Sequence, residues 1–423
     1  MTATAGTDIT SISTMVRLTL ASVSKHLTED VIDKVFKLKT NSEDSVQSIE
    51  VMRAAPAGEG LISAVYRIQV TGKNHTAKFI AKGLVHDPLM RKSLECHTYF
   101  KREALFFSTI LPILCETQKA SGAKERIQTN LPKCFGCHLD GKDDYILMED
   151  LSEIECTSLP ENATIYERNL VLKCLAHFHA VSFALRLKKP DTFAKLANRL
   201  NEVFYNDNNK SWYASYLQDG IDIDRKVIAE FEDPDSIYYK RFNALFDEDI
   251  YGQLIRIVNS RGDHPVFNHG DAWCPNFLCN KDKAVAIDFQ LLRCTSPAAD
   301  LSYFILMYQC RSKEEFMEAV EVYYKAMEYY LTDMGIDPSK AFPFETLLEE
   351  LKKYGSYGML ASLTSFPLLA NERCDTHQSF EIKDCGFDRI PLVELWPLTP
   401  IKHEQHKMRL VHAVRVAVDV GLI

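Results

Sequence analysis

The hydrophobic rhythm of the chain changes about a third of the way along. Up to residue 148 apolar side chains recur mainly at every second position, and beyond residue 151 they recur every three or four. Ile62 to Val70 puts Ile62, Ala64, Tyr66, Ile68 and Val70 on one face, the pattern of a half-buried strand. Thr76 to Lys82 alternates Ala77, Phe79 and Ala81 against Lys78, Ile80 and Lys82, and Ile49 to Met52 and Asp143 to Met148 read as two further strands. Two helices belong to the same region. Leu27 to Leu38 carries Val31, Ile32, Val35, Phe36 and Leu38 behind Thr28 as its cap, and roughly Lys92 to Ile110 carries a stripe of Tyr99, Phe106 and Ile110.

The second region is helical. Val171, Leu175, Phe178, Ser182 and Leu185 share one long face. Ser296 and Pro297 start another helix, and Ser312-x-x-Glu315 opens a third that carries Phe316, Val320, Tyr323 and Met327 and stops at Gly335 and Pro338. Two more lie near Glu345 to Leu369 and Lys402 to Gly421. These patterns predict an α+β protein: an N-terminal segment with a short helix (1–44), a β-rich small lobe (45–148), a connector (149–151) and a mainly helical large lobe (152–423).

Composition narrows the function. With 423 residues, a net charge of −9 and no run of Lys or Arg, the chain has neither a nucleic-acid footprint nor a polybasic membrane anchor, and a small molecule is the expected partner. The apolar run Ala104 to Cys115 contains Pro112 and is shorter than the roughly 20 residues that a membrane span needs. Twelve cysteines with no secretory leader pattern point to reduced thiols and a cytoplasmic location. Cys134-Phe-Gly-Cys137-His138 has a metal or redox spacing, but no second CxxC pairs with it, and a hairpin between two strands explains it better. Oligomeric state stays open.

The chemistry concentrates in His269-Gly270-Asp271-Ala-Trp273-Cys-Pro-Asn276 and Ala286-Ile287-Asp288-Phe289-Gln290. Short apolar strands, Pro265 to Phe267 and Ala284 to Ile287, each deliver an acid to a loop. Two carboxylates and a carboxamide at this spacing suit phosphoryl transfer to a hydroxyl: Asp271 as the base that takes the hydroxyl proton, Asn276 and Asp288 as oxygen ligands for Mg²⁺. Taken alone, Asp271 reads better as a turn residue after Gly270 and Asp288 as a strand-end acid facing solvent; the ordered set does not. Glu103 falls on the apolar stripe of its helix, where a carboxylate needs a cation, and Lys82 at the end of its strand is the candidate. Gly58 and Gly60 sit at a strand-to-strand turn where backbone N–H groups could approach phosphates, and backbone groups around Met148, Glu149 and Asp150 would meet adenine. His177 and His179 diverge on a helix and read as core histidines, His269 as a buttress and Trp273 as packing. Asp300 stands in a first helical turn, where it either caps the helix or accepts hydrogen bonds from the catalytic loop. The aromatic stretch Phe204 to Tyr216 is core or part of an acceptor pocket.

Together with Ile146-Leu-Met-Glu-Asp-Leu151, Leu175-Ala-His-Phe-His-Ala180 and Ser296-Pro-Ala-Ala-Asp-Leu301, these motifs resemble, in order, the ecdysteroid kinase-like (CHK kinase-like) family of the choline and aminoglycoside kinase group. The resemblance runs from about residue 50 to the C-terminus. It implies a two-lobed protein-kinase-like fold, ATP and Mg²⁺ in the cleft, Lys82 as the phosphate-holding lysine, Ser63 beside the glycine turn in the nucleotide site, and His269 and Asp300 supporting the catalytic loop. The acceptor it implies is an alcohol, an ecdysteroid or another hydroxylated compound, with choline or ethanolamine as the alternative. A catalytically weak nucleotide- or steroid-binding protein of the same fold is the rival from another class. Gly60 and Leu61 stand where the family commonly has an asparagine and an aromatic residue, which bears on nucleotide grip.

Overall fold

Alternation in the first third becomes one antiparallel sheet. The computed structural model describes residues 18–54, 62–160, 162–370 and 389–423. Strands β1 (Val46–Arg53), β2 (Ser63–Gly72), β3 (Thr76–Leu84), β4 (Cys134–His138) and β5 (Tyr145–Glu149) are ordered β1-β2-β3-β5-β4. Ala64, Tyr66, Ile68 and Val70 of β2 are buried together with Ala77, Phe79 and Ala81 of β3. Against them packs α1 (Glu29–Thr40), whose N-cap Thr28 accepts from Val31 N and whose Ile32, Val35 and Phe36 are buried, each contributing about 1.5–3 kcal/mol.

The expected continuous helix from Lys92 to Ile110 is broken. Pro88–Ser93 is one short helix; Glu95 then takes a left-handed conformation (φ 49°), and α2 (Cys96–Leu105) starts afresh. It runs into a single π-helical turn, Phe106–Ile110, before α3 (Leu111–Ala120). Pro112 accounts for the widened turn, since it has no N–H to give to the carbonyl four residues back and its ring crowds that carbonyl.

A connector at Glu149 to Leu151 leads into the helical region. Its central element is α4 (Ile165–Lys188), started by the Thr164/Glu167 capping box and buried along nearly its whole length. It is the one described helix long and apolar enough to cross a membrane, and 83% of its apolar window is enclosed by the protein. Around it and its neighbours lie α5 (Lys210–Phe231), α6 (Pro297–Met307), α7 (Lys313–Asp333), α8 (Phe344–Tyr354), α9 (Ser356–Leu369) and α10 (Glu404–Asp419). The segment expected as one helix from Glu345 to Leu369 is two, parted at Gly355, where a Cβ would lie 2.4 Å from Leu351 O. Four three-residue strands hold the site loops: β6 (Val266–Asn268) pairs with β9 (Arg293–Thr295), and β7 (Phe277–Cys279) with β8 (Ala284–Ala286). The architecture is α+β and protein-kinase-like: an antiparallel five-stranded sheet with α2 inserted between β3 and β4, joined to a mainly helical lobe.

Candidate active site

Three elements meet at one ammonium group. Lys82, near the end of β3, places Nζ 2.9 Å from both carboxylate oxygens of Glu103 on α2 and 3.0 Å from Asp288 Oδ1 in the loop after β8. The lysine and glutamate are buried, while a quarter of the Asp288 side chain is exposed. Burial opposes the charge on Lys82, but Asp288 and Glu103 outweigh it and raise its pKa. Burial also pushes Glu103 up, with the Lys82 cation pulling it back. Lys78, the other lysine of that strand face, is engaged through its backbone: its carbonyl accepts from Lys39 Nζ and its N–H donates to Glu153.

The loop after β6 carries the second acid. Asp271 is held by Asn276, whose Nδ2 donates to Asp271 Oδ2 at 2.8 Å and to its backbone carbonyl at 2.9 Å. Burial, then the nearby Asp288 charge, raises the Asp271 carboxyl to about 7. The turn into it requires glycine: Gly270 has φ 85°, and a Cβ there would lie 1.9 Å from Leu291 O. His269 donates Nε2–H to Ile287 O (2.8 Å) and accepts Asp271 N–H at Nδ1 (3.3 Å), so one tautomer ties the Asp271 loop to the strand end before Asp288. Burial keeps its pKa below the ordinary value.

Asp300 accepts the backbone N–H of His269 (2.6 Å) and Gly270 (3.0 Å), and His179 Nε2 lies 3.2 Å from it. Ser296, accepting from Ala298 N, caps the helix, so Asp300 supports the loop rather than the helix end. Burial works to raise Asp300, but His179, His269 and the loop N–H groups hold it below the usual carboxylate range. His179 also binds Tyr323 Oη (2.8 Å), whereas His177 turns to Asn130 and Gln118, both at 2.9 Å. Trp273 is half-buried and packs against the core.

Other expected residues have different surroundings. Ser63 is buried where β2 begins, opposite Leu84. Met148 pairs with Ile80, Glu149 pairs with Lys133 through backbone and side chain, and the Asp150 carboxylate is taken by Arg67 and Ser152 N. Gly58, Gly60 and Leu61 lie outside the described residues. Tyr205, Tyr213 and Tyr216 are buried in an aromatic cluster with Tyr251 and Tyr357.

Arg293 escaped the sequence reading. It is fully enclosed on β9, 3.2 Å from Glu202 Oε2, and donates to Tyr357 Oη at 3.0 Å; Tyr357 in turn donates to Gly270 O at 3.4 Å. Arg102, next to Glu103, donates to Leu292 O (2.9 Å) and to Asn201 O. Two arginines thus bind α2 and the Asp271 turn to the segment following Asp288. The available signal was an arginine inside the apolar run Leu291-Leu-Arg293-Cys-Thr, a charge that needs a buried partner just as Glu103 does.

Lysine–glutamate pair, paired acids and loop-supporting aspartate on this architecture are those of a kinase-like phosphotransferase. Residues 57–336 match the sequence profile of the ecdysteroid kinase-like family, and the chain belongs to that family. No curated protein matches it. Among solved structures it is similar to a choline kinase from Cryptosporidium parvum (12% identity over 89% of this chain and 91% of that one, TM-score 0.43). It is similar also to an ethanolamine kinase from Plasmodium vivax (14%, 89% and 84%, 0.43) and a choline kinase from Streptococcus pneumoniae (14%, 79% and 99%, 0.35). Membership of that family supports a small-molecule kinase.

Proposed function

We propose that this chain transfers the γ-phosphoryl group of ATP to a hydroxyl of a small-molecule alcohol, with an ecdysteroid or a related hydroxylated compound as the acceptor. The observation that carries this reading is Lys82 held between Glu103 and Asp288, three charged residues that three separate elements bring to one point. Asp271 would accept the hydroxyl proton as the hydroxyl oxygen bonds to the γ-phosphorus, while the bond to the bridging oxygen breaks and ADP leaves. A carboxyl raised to about 7 suits a base at neutral pH, and Asn276 fixes which way it faces.

The residues fit a hard divalent cation. Glu103 and Asp288 flank Lys82 and Asp271 feels the Asp288 charge, a field that a polyphosphate enters only with added positive charge. Asp288 offers carboxylate oxygens, and Asn276 commits its amide nitrogen to Asp271, which leaves its carbonyl oxygen for a metal. Mg²⁺ bound there would neutralise charge on the phosphates. Lys82 would hold phosphate oxygens, and Glu103 would orient Lys82. By family, ATP and Mg²⁺ are the first pair to test.

The test is Mg²⁺-dependent conversion of ATP to ADP with a panel of ecdysteroids, other sterols, choline and ethanolamine, with the phosphorylated product identified by mass. Phosphate on one of the alcohols, lost in Asp271→Asn, supports the reading. ATP binding without transfer to any alcohol would favour a nucleotide-binding protein of the same fold.

A further inference from the structure

The small lobe carries a second cluster of polar groups, on the side of the sheet edge. His26, in the segment before α1, puts Nε2 2.9 Å from Asp140 Oδ2 in the turn between β4 and β5. His138, the last residue of β4, puts Nε2 3.7 Å from the same oxygen. The three ligand atoms lie within 4.8 Å of one another. We propose that His26, His138 and Asp140 form a site for a divalent transition-metal ion of the Zn²⁺ type, which fastens the segment before α1 to the β4–β5 turn.

Three features support it. The donor set, two imidazole nitrogens and one carboxylate oxygen, is one that Zn²⁺ takes, with a fourth position for water. The carboxylate is pre-oriented: Asp140 Oδ1 accepts the backbone N–H of Lys142 and Asp143, both at 2.8 Å, which turns Oδ2 towards the two rings. The two rings stack with centroids 3.9 Å apart, and His138 Nε2 is enclosed without a hydrogen-bond partner, a polar atom that a metal would satisfy.

The separations of 2.9 and 3.7 Å bracket those between ligands bound about 2.0–2.2 Å from one tetrahedral ion, and the site is completed when one ring turns out of the stack so that both Nε2 lone pairs meet at one point. The turn is otherwise rigid: Asp144 Oδ1 accepts the N–H of Asp140 and Gly141 at 2.7 Å, and Ser24 Oγ already donates to Asp143 O at 2.5 Å. Cys137 next to His138 is exposed and remains outside the cluster. The CxxCH run therefore contributes through its histidine.

The test uses the full chain with Zn²⁺ and Co²⁺ in excess Mg²⁺, which fills hard oxygen sites. One Zn²⁺ per chain should compete with a chromophoric chelator, Co²⁺ should give the visible absorption of a tetrahedral complex, and Zn²⁺ should slow amide exchange at residues 24–27. His26→Ala, His138→Ala and Asp140→Asn should each weaken Zn²⁺ by more than the tenfold to about hundredfold seen for outer-shell partners, with Cys137→Ser unchanged. The melting curve of each variant without metal shows that it is folded. The inference is overturned if Zn²⁺ does not bind, if His138→Ala binds it as well as the parent, or if Cys137→Ser abolishes binding.

Discussion

Replacing Lys82 by methionine should destabilise the protein more than replacing its partner, and adding the partner's substitution should bring stability back. Glu103 is 2% exposed and Lys82 6%. Lys82→Met leaves a buried carboxylate without its cation, for which about 3–5 kcal/mol is typical. Asp288, whose buried Oδ1 faces the same ammonium, loses that cation too and places the cost towards the upper end of that range. Glu103→Gln keeps an acceptor oxygen for Lys82, which also retains Asp288 3.0 Å away, so about 1–2 kcal/mol is expected. In the Lys82→Met background Glu103→Gln removes the orphaned charge, and the double variant should be more stable than Lys82→Met alone. The pKa of Glu103 is raised by burial, so uptake of a proton relieves the lysine variant at lower pH, and its deficit should widen as pH rises above the ordinary carboxylate range. Urea midpoints of the four proteins, followed by fluorescence and far-UV circular dichroism, measure this. Effects that add within about 0.3–0.5 kcal/mol, or a double variant weaker than Lys82→Met, would refute the reasoning.

Three other outcomes are expected. Asp271→Asn should retain nucleotide binding and lower kcat by about 10²- to 10⁴-fold, and parental kcat/KM should rise as pH increases through about 7; a flat profile would remove Asp271 as the base. Gly270→Ala, which must relieve both a left-handed φ and a 1.9 Å approach to Leu291 O, should cost about 1–3 kcal/mol or more and depress kcat, and unchanged activity would show that the turn is not held as described. Asp224 is fully buried with neither carboxylate oxygen hydrogen-bonded, and burial raises its pKa well above 3.8, so its contribution is present below that value and is lost as pH rises through the folded-state pKa. Asp224→Asn should therefore be the more stable protein at about pH 8 and lose that advantage towards about pH 5, as read from melting temperatures at both.

The small lobe was legible because its strands are half-buried, and alternation then marks the inward face: Ala64 to Val70 and Ala77 to Ala81 follow it residue by residue. The broken helix was not, because the left-handed Glu95 leaves no mark in the apolar spacing and a π turn shifts the period only locally. Within the site, Glu103 stood out as a charge on an apolar stripe. Glu202 and Arg293 did not: their sequence positions are far apart, and the pairing exists only once β9 is enclosed. The Asp300 contacts were readable only as a choice between two roles, since a carboxylate in a first turn has the same local appearance in both.

The central helix also has a consequence for synthesis. Ile165–Lys188 leaves the ribosome about 125 residues before Lys313–Asp333, the helix packed along it, begins to appear. At about 5–20 residues per second the interval is on the order of 10 s. For that time a 24-residue, largely apolar segment lacks much of its final cover. Chaperones and membrane-targeting factors that read nascent apolar segments would encounter it then. Substitutions that slow the docking of the later helix should lower yield in cells before they lower the stability of the finished protein.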